Sequence, residues 1–268
     1  MADDVVLSEK RDGVLLLTLN RPSRANAWTG ELEDRYFDLL AEADADPDVR
    51  AIVVTGAGKA FCPGADMDLL QGIGGGGGAS LTDVERRPVT FPLTIRKPII
   101  GAINGAAAVV GLVQALMFDL RFAAGGAKMT FAFSHRGLIA EYGSSWLLPR
   151  LVGTSRALDL LLSSRIVLAE EAAEMGLVNR VCDPATLLEE TLAYAAELAT
   201  KASPASLATI KRQIYAHATL GLDEALEDSN RLMRQSLRGP DFKEGVASFV
   251  DKRPPAFSPL GDGTTFDW

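Results

Sequence analysis

Twice in this chain a short apolar run ends in a glycine-bearing turn, and that recurrence restricts the architecture more than any other feature. Ala51-Ile-Val-Val-Thr55 leads into Lys59-Ala-Phe-Cys-Pro-Gly-Ala-Asp-Met67, and Pro98-Ile-Ile-Gly101 leads into Ile103-Asn-Gly-Ala-Ala-Ala-Val-Val-Gly111. Apolar runs without polar alternation read as strands covered on both faces. A strand entering such a turn leaves backbone N–H groups free to face a ligand oxygen, and the second turn continues into a helix whose first amides have no partner of their own. Two such amides converging on one carbonyl make an oxyanion hole.

The flanking segments alternate in the same way and give an α/β fold class. Val5 to Ser8 and Val14 to Asn20 read as a hairpin turning at Asp12-Gly13. Glu31 to Ala43 has helical spacing, with Leu32, Tyr36, Leu39 and Leu40 on one face and Thr29 as N-cap, and strand returns at Arg50 to Thr55. Strand and helix alternate again through Pro98 to Ala123, and a further strand, Lys128 to Phe133, precedes a loop at Gly137 to Gly143. From Ser144 onward the pattern is mostly helical, over Pro184 to Thr200, Ser203 to His217, Leu222 to Leu237 and Asp241 to Val250, with Asp183 and Ser203 as expected caps. The expected organisation is a catalytic core over residues 1–200 and a helical extension over 201–268. Between Gln71 and Ala79 stand five consecutive glycines, from Gly74 to Gly78, whose ordering cost is large. The expectation there is a mobile segment, either a lid over an acyl pocket or a surface insertion.

Several function classes are disfavoured. The net charge, 27 − 35 = −8, opposes non-specific binding to nucleic acid or anionic membrane, so an anionic ligand needs a local basic cluster. Cys62 and Cys182 are far apart and show no disulfide or metal spacing. Met1-Ala-Asp-Asp-Val carries acidic residues where a targeting signal has basic ones, which makes the cytoplasm the expected location. Pro98 to Phe118 is 21 residues without a formal charge, yet Pro98, Gly101, Asn104, Gly105, Gly111 and Gln114 interrupt it, so strand-turn-helix is expected rather than a membrane span. Thr55-Gly-Ala-Gly-Lys59 lacks the spacing of a phosphate loop, and the glycines around Gly75 do not open a helix as a dinucleotide site requires.

The strings Ala60-Phe-Cys-x-Gly-Ala-Asp66, Ile103-Asn-Gly105 before a helix, and Arg150-Leu-Val-Gly153 occur in that order. Leu19-Asn-Arg-Pro-Ser-Arg-Ala-Asn-Ala27 precedes them and Glu244-Gly-Val-Ala-Ser-Phe-Val-Asp-Lys-Arg253 follows. Together they resemble the crotonase (enoyl-CoA hydratase/isomerase) superfamily over nearly the whole chain. The resemblance implies a crotonase-like spiral of ββα units with a helical C-terminal trimerisation region, assembled as a homotrimer or a dimer of trimers. It implies an acyl-CoA thioester as substrate, with coenzyme A entering as part of that substrate and neither a separate cofactor nor a metal. It assigns the oxyanion donors to the N–H groups of Ala65 and Val110. Coenzyme A would lie along Arg24, Ala25, Ala27, Pro63, Gly64, Asp66 and Met67, with Gly111 at the second turn and Phe249 and Lys252 supplied by a neighbouring subunit. Lys252 and Arg253 read equally well as a solvated basic face, and Asp66 and Asp119 as turn and loop anchors rather than acids. One departure stands out: family members usually carry glycine where this chain has Val109 and Val110, which adds bulk and narrows the backbone options. An N–H donor needs no particular side chain, so the hole is expected to persist in a reshaped pocket.

In the family's hydratases two glutamates share the work, and their positions align here with Val113 and Phe133, neither of which accepts a proton. Glu141, in Gly137-Leu-Ile-Ala-Glu-Tyr-Gly143, matches the acidic residue of the family's Pro-Asp-x-Gly variant, whose members include double-bond isomerases. There one base removes a proton from C2 and returns it to C4, aided by an apolar setting that raises its pKa. The resemblance thus implies isomerisation with Glu141 as base. The alternatives are an enoyl-CoA hydratase of fatty-acid β-oxidation that uses Glu141 as its sole carboxylate, and a non-catalytic acyl-CoA binder. Without the resemblance, Glu141 reads as an exposed loop glutamate, the usual fate of that residue type. His135 is a structural histidine or an acyl contact, and with only His217 besides it a Ser-His-Asp triad has thin support. Tyr142, Ser144, Ser145 and Trp146 shape the pocket or cap the next helix, capping being the role expected of the serines.

Overall fold

A computed structural model describes residues 4–66 and 86–261. Met67 and the Gly74 to Gly78 run lie outside the described residues, and with them the expected lid or insertion. The chain opens with β1 (Val6–Arg11) and β2 (Val14–Leu19), an antiparallel hairpin whose turn residues Asp12 and Gly13 take φ of 51° and 78°. Both values are positive, as a two-residue turn matching the twist of its strands requires. Then α1 (Gly30–Ala45) buries Leu32, Tyr36, Phe37, Leu39, Leu40 and Ala43, and the Thr29 hydroxyl caps it by accepting from Leu32 N at 3.2 Å.

Three strand pairs follow: β3 (Ala51–Gly56) with β4 (Ala60–Cys62), β5 (Ile99–Ile103) with β6 (Ala106–Ala108), and β7 (Leu120–Ala124) with β8 (Lys128–Thr130). The first member of each pair joins one sheet and the second member joins another. The large sheet, completed by β10 (Arg180–Cys182), runs β1-β2-β3-β5-β7-β10, while the small one, completed by β9 (Val167–Leu168), runs β4-β6-β8-β9. Apart from β1 with β2 and β8 with β9, neighbours are parallel. Every residue of β3 and β5 is buried, which accounts for their unbroken apolar sequences. Because successive pairs stack in register, the turns between their members stack too. Asn104 fastens the second turn to the first, accepting from Gly56 N at 3.1 Å and donating to Gly56 O at 2.8 Å and Gly58 O at 3.0 Å.

The remaining helices are α2 (Val110–Leu116), α3 (Ser144–Val152), α4 (Thr154–Ser163), α5 (Ala169–Glu174), α6 (Leu187–Lys201), α7 (Pro204–His217), α8 (Leu222–Ser236) and α9 (Pro240–Asp251). α6 packs on β2, β3, β5 and β7. The main core extends from Val6 to Ala199, whereas Ala205, Ala208 and Leu260 form a small cluster of their own. α7 is anchored to the large sheet by Lys211, whose Nζ lies 2.8 Å from Asp119 Oδ2, an oxygen that also accepts from Ile99 N at 2.7 Å. Asp119 is thus the anchor its sequence context suggests.

The stretch after Ser144 is mostly helical, as expected, and is interrupted only by β9 and β10, each of which closes a sheet edge with two or three residues, too few to show a period. Three expectations need correction. β8 stops at Thr130, because Ala132 adopts φ 47° and turns Phe133 into a 3₁₀ segment, Ser134–Arg136. Asp183 does not cap α6: its Oδ1 accepts from Ala185 N, and Thr186 occupies the cap position without a side-chain capping bond, its hydroxyl donating instead to Glu190 Oε1 at 2.6 Å. Ser144 and Ser145 cap nothing either, because Gly143 is the N-cap of α3, and the fully buried Ser144 hydroxyl has no partner among the described residues. Ser203, by contrast, accepts from Ser206 N at 3.1 Å as expected. Pro98 to Phe118 divides into β5, β6 and α2, and among the described residues no helix is long and apolar enough to cross a membrane.

Candidate active site

The Pro63-Gly64-Ala65-Asp66 turn leaves β4 and runs beside Trp28 as a single parallel bridge between Trp28 and Ala65. Trp28 N donates to Gly64 O at 2.8 Å, and Asp66 N donates to Trp28 O at 3.0 Å. In such a bridge the central residue of the flanked strand directs its own N–H away from the partner. The Ala65 N–H accordingly makes no hydrogen bond among the described residues. Across from it α2 begins: Val109 N donates to Thr130 O, and Val109 O receives the first helical bond from Val113 N at 2.9 Å. No side chain caps this end, so the Val110 N–H is likewise without a partner among the described residues.

The two turns touch. A methyl built on Gly64, whose φ is 118°, would lie 3.2 Å from Val109 Cβ, and one built on Gly111 would lie 2.3 Å from Cys62 O. Val109 itself holds φ 49° and ψ −124°, a region in which a β-branched side chain costs about 1–3 kcal/mol. Where the resemblance expects glycine, this chain keeps the glycine-type backbone and accepts the strain. The Cys62 thiol is pushed up to about 12 by burial, so it is no nucleophile at neutral pH. Among the described residues no group of three His, Cys, Asp or Glu side chains is placed to hold a metal.

Beside the first turn lies the shelf formed by residues 24–27. Ala25 and Asn26 take φ of 52° and 63°, and the buried Asn26 holds them there. Its Oδ1 accepts from Arg21 N at 2.9 Å, and its Nδ2 donates to Ala57 O at 2.9 Å and Ala60 O at 2.8 Å. Arg24 and Pro63 are exposed and Ala27 is buried, so the shelf has a solvent edge next to the Gly-Ala-Asp turn. Asn26→Ala removes three bonds and leaves alanine in left-handed backbone; the expected loss is about 3 kcal/mol or more, read from a denaturant midpoint. Arg21, Asn26 and Trp28 escape sequence reasoning as site residues, although all stand in or beside the Asn-Arg-Pro string. Asp66 behaves as an anchor, with its Oδ2 3.0 Å from Arg21 Nη2.

Glu141 stands in the loop before α3, which Tyr142 and Gly143 end with φ of 56° and 79°. It is half-buried, and burial raises its carboxyl above the ordinary carboxylate range. α3 packs against α2, Gln114 of α2 donates to Val89 O at 3.2 Å, and a methyl on Gly143 would lie 3.6 Å from Thr90 Cγ2. The Tyr142 phenol is raised by burial and then by the charges of Glu141 and Glu33, and Glu33 accepts from Trp28 Nε1 at 2.8 Å. The Glu141 loop therefore adjoins both α2 and the segment that carries Trp28. Val113 and Phe133 are buried apolar side chains, 0% and 1% exposed. His135 is exposed on its 3₁₀ turn, Phe249 on α9 is 86% exposed, and Lys252 follows α9 in solvent.

The model of the enoyl-CoA hydratase/isomerase family matches residues 9–259. The chain is 37% identical to 1,2-epoxyphenylacetyl-CoA isomerase of Escherichia coli, over 95% of this chain and 98% of that protein. Among solved structures, an enoyl-CoA hydratase from Mycobacterium marinum shares 46% identity at a TM-score of 0.70, covering 81% of this chain and 100% of its own. One from a Polaromonas species shares 30% at a TM-score of 0.87, covering 94% and 99%. With two facing turns that present unpartnered amides and a family match along nearly its whole length, this chain belongs to the enoyl-CoA hydratase/isomerase (crotonase) family.

Proposed function

We propose that the protein isomerises the double bond of an enoyl-CoA thioester, with Ala65 N–H and Val110 N–H holding the thioester oxygen and Glu141 as the single base. The carboxylate takes a proton from C2 of a 3-enoyl group, and the electron pair delocalises onto the oxygen as a dienolate. The same carboxyl, now acidic, delivers the proton to C4, leaving a 2-enoyl product. Each amide aimed at the developing charge contributes about 3 kcal/mol. The placement of carboxylates carries this reading: the positions where hydratases of the family place glutamates hold buried Val113 and Phe133, whereas Glu141 sits half-buried with a raised pKa and, among the described residues, no cation beside it. The isomerase name of the 37%-identical relative, 1,2-epoxyphenylacetyl-CoA isomerase, supports an isomerase over a hydratase. The shelf at Arg24, Ala25 and Ala27, with Pro63, Gly64 and Asp66 opposite, is the proposed seat of coenzyme A. Phe249 and Lys252 of a neighbouring copy would close it in a homotrimer or dimer of trimers, an arrangement that suits the exposed apolar side chains Leu222, Phe242, Val246, Phe249 and Val250 on α8 and α9. The proposal includes a reducing, cytoplasmic setting, which two free, buried thiols fit.

Hydration is the rival, since many relatives carry the name enoyl-CoA hydratase. With purified protein, 3-enoyl-CoA is expected to gain the absorbance of a conjugated enoyl thioester. Loss of that absorbance from 2-enoyl-CoA, with 3-enoyl-CoA untouched, establishes the hydratase instead. Binding of both without change in either identifies an acyl-CoA binder.

A further inference from the structure

We infer that Arg21 is a positioning residue for the oxyanion hole, acting through Asp66 and Trp28 to aim the Ala65 amide. The inference rests on the oxyanion reading proposed above and adds a residue to it. Arg21 follows β2 by two residues, and its guanidinium reaches both the shelf and the Gly-Ala-Asp turn. Nη1 donates to Ala27 O, and Nη2 donates to Asp66 Oδ2 at 3.0 Å. Those two contacts bracket the bridge that orients Ala65. Ala27 precedes Trp28, Asp66 follows Ala65, and Trp28 is bonded to the residues on either side of Ala65, Gly64 and Asp66. A planar cation with two parallel donors fixes the spacing of two acceptors in a way that no single flexible donor does.

The setting strengthens the brace. The Asp66 side chain is 8% exposed and that of Arg21 21%, so solvent screening is weak for this pair compared with the exposed pairs on the surface. Arg21 is also held from behind, because its N–H is bound by the buried Asn26, which is fastened in turn to Ala57 O and Ala60 O on either side of the β3–β4 turn. The guanidinium thus stands at the end of a buried network that begins at the strand carrying the hole. Neither Arg21 nor Asp66 needs to touch the reacting atoms. Without the brace the first turn is still tethered by Trp28, but the angle of the Ala65 N–H toward the thioester oxygen is no longer fixed, and a misplacement near 1 Å costs about 100-fold in rate.

The test uses the full-length protein and an acyl-CoA labelled with 13C at the thioester carbonyl. In the unmodified protein the carbonyl stretch is expected to fall in frequency on binding, and in Arg21→Met that fall should shrink. Turnover should drop about 10- to 100-fold, while affinity for an S-alkyl-CoA thioether, which offers no carbonyl to grip, changes less than about threefold. Arg21→Lys should recover part of both the spectral shift and the rate. Asp66→Asn, isosteric and still able to accept, should give an intermediate shift, and it decides the question if Arg21→Met does not fold. An unaltered carbonyl shift in Arg21→Met, or in Asp66→Asn alone, overturns the inference. Equal losses in thioether affinity and turnover also overturn it, by making Arg21 a support of the shelf only. If the unmodified protein shows no shift on binding, the hole itself is absent, an outcome recognisable because it precedes any substitution.

Discussion

Glu141→Gln is expected to lower turnover on 3-enoyl-CoA by about 10²–10⁴-fold, the usual worth of a positioned general acid–base group, while leaving acyl-CoA affinity within a few-fold of the original. Glutamine keeps the shape of the side chain and loses only the ability to take the proton, so a loss confined to turnover separates chemistry from binding. The pH profile supplies a second check. Burial raises the Glu141 carboxyl, with no neighbouring cation among the described residues to lower it again. The active form is the carboxylate, so kcat/KM should climb as pH rises through that elevated pKa and then level off. Stability moves the other way. A carboxyl whose folded pKa exceeds its unfolded value contributes stability that is fully present below the unfolded pKa, about 4.3, and lost as pH rises through the folded one. At neutral pH the ionised Glu141 is therefore a cost that glutamine relieves. The variant's melting temperature should equal or exceed that of the original at pH 7, and the advantage should fade toward pH 4. A variant that keeps its turnover removes Glu141 from the mechanism.

The route from sequence to this site was open at some residues and closed at others for identifiable reasons. β3 and β5 are legible because both of their faces are covered, which demands an unbroken apolar run, and α1 is legible because one face meets the core and Thr29 caps it. In the small sheet only β8 is legible, at the start of the Lys128 to Phe133 run, since β4 and β6 have three residues each and Ala106-Ala-Ala108 carries no strand preference at all. Those strands exist because their larger partners stack in register and carry them into place. Ala65 and Val110 are found only by resemblance, because a backbone amide leaves no mark in the side-chain sequence. Arg21 and Asp66 are separated by 45 positions, and tertiary contacts, the bridge between Trp28 and Ala65 and the Asn26 hydrogen bonds, bring them together. The glycine expected at position 109 misleads in the opposite direction, as Val109 takes the left-handed geometry regardless. Nor do the periods of α7, α8 and α9 say what covers their apolar sides, so the proposed assembly draws on resemblance and on exposed side chains.

The second large effect is expected at Gly111, where one methyl group should disable the hole without touching any donor. Substituting alanine for glycine within a helix normally stabilises, by up to roughly 0.5–1 kcal/mol in its interior, and Gly111, the second residue of α2, has no positive φ to oppose it. Here the gain is overruled by space. The new Cβ would stand 2.3 Å from Cys62 O, 2.6 Å from Cys62 Cβ and 2.7 Å from its Sγ. The nearest obstacle is backbone, and Cys62 is wholly buried, so no side chain can swing clear. Either α2 or the turn after β4 must retreat, at a cost of about 1–3 kcal/mol for an overpacked interior. Val110 is the residue before Gly111, and Ala65 lies three residues beyond Cys62, so any retreat widens the gap between the two amides. A hole that loses one of its donors forfeits about 10²–10³-fold in rate. Gly111→Ala should therefore remain folded by circular dichroism, with a melting temperature lowered by several degrees, and lose about 100-fold or more in turnover. Its affinity for the S-alkyl-CoA thioether should change far less, because the shelf at Arg24 to Ala27 is held by Asn26 and Arg21 rather than by α2. Full activity in a folded Gly111→Ala protein places the reacting carbonyl somewhere other than between these two turns.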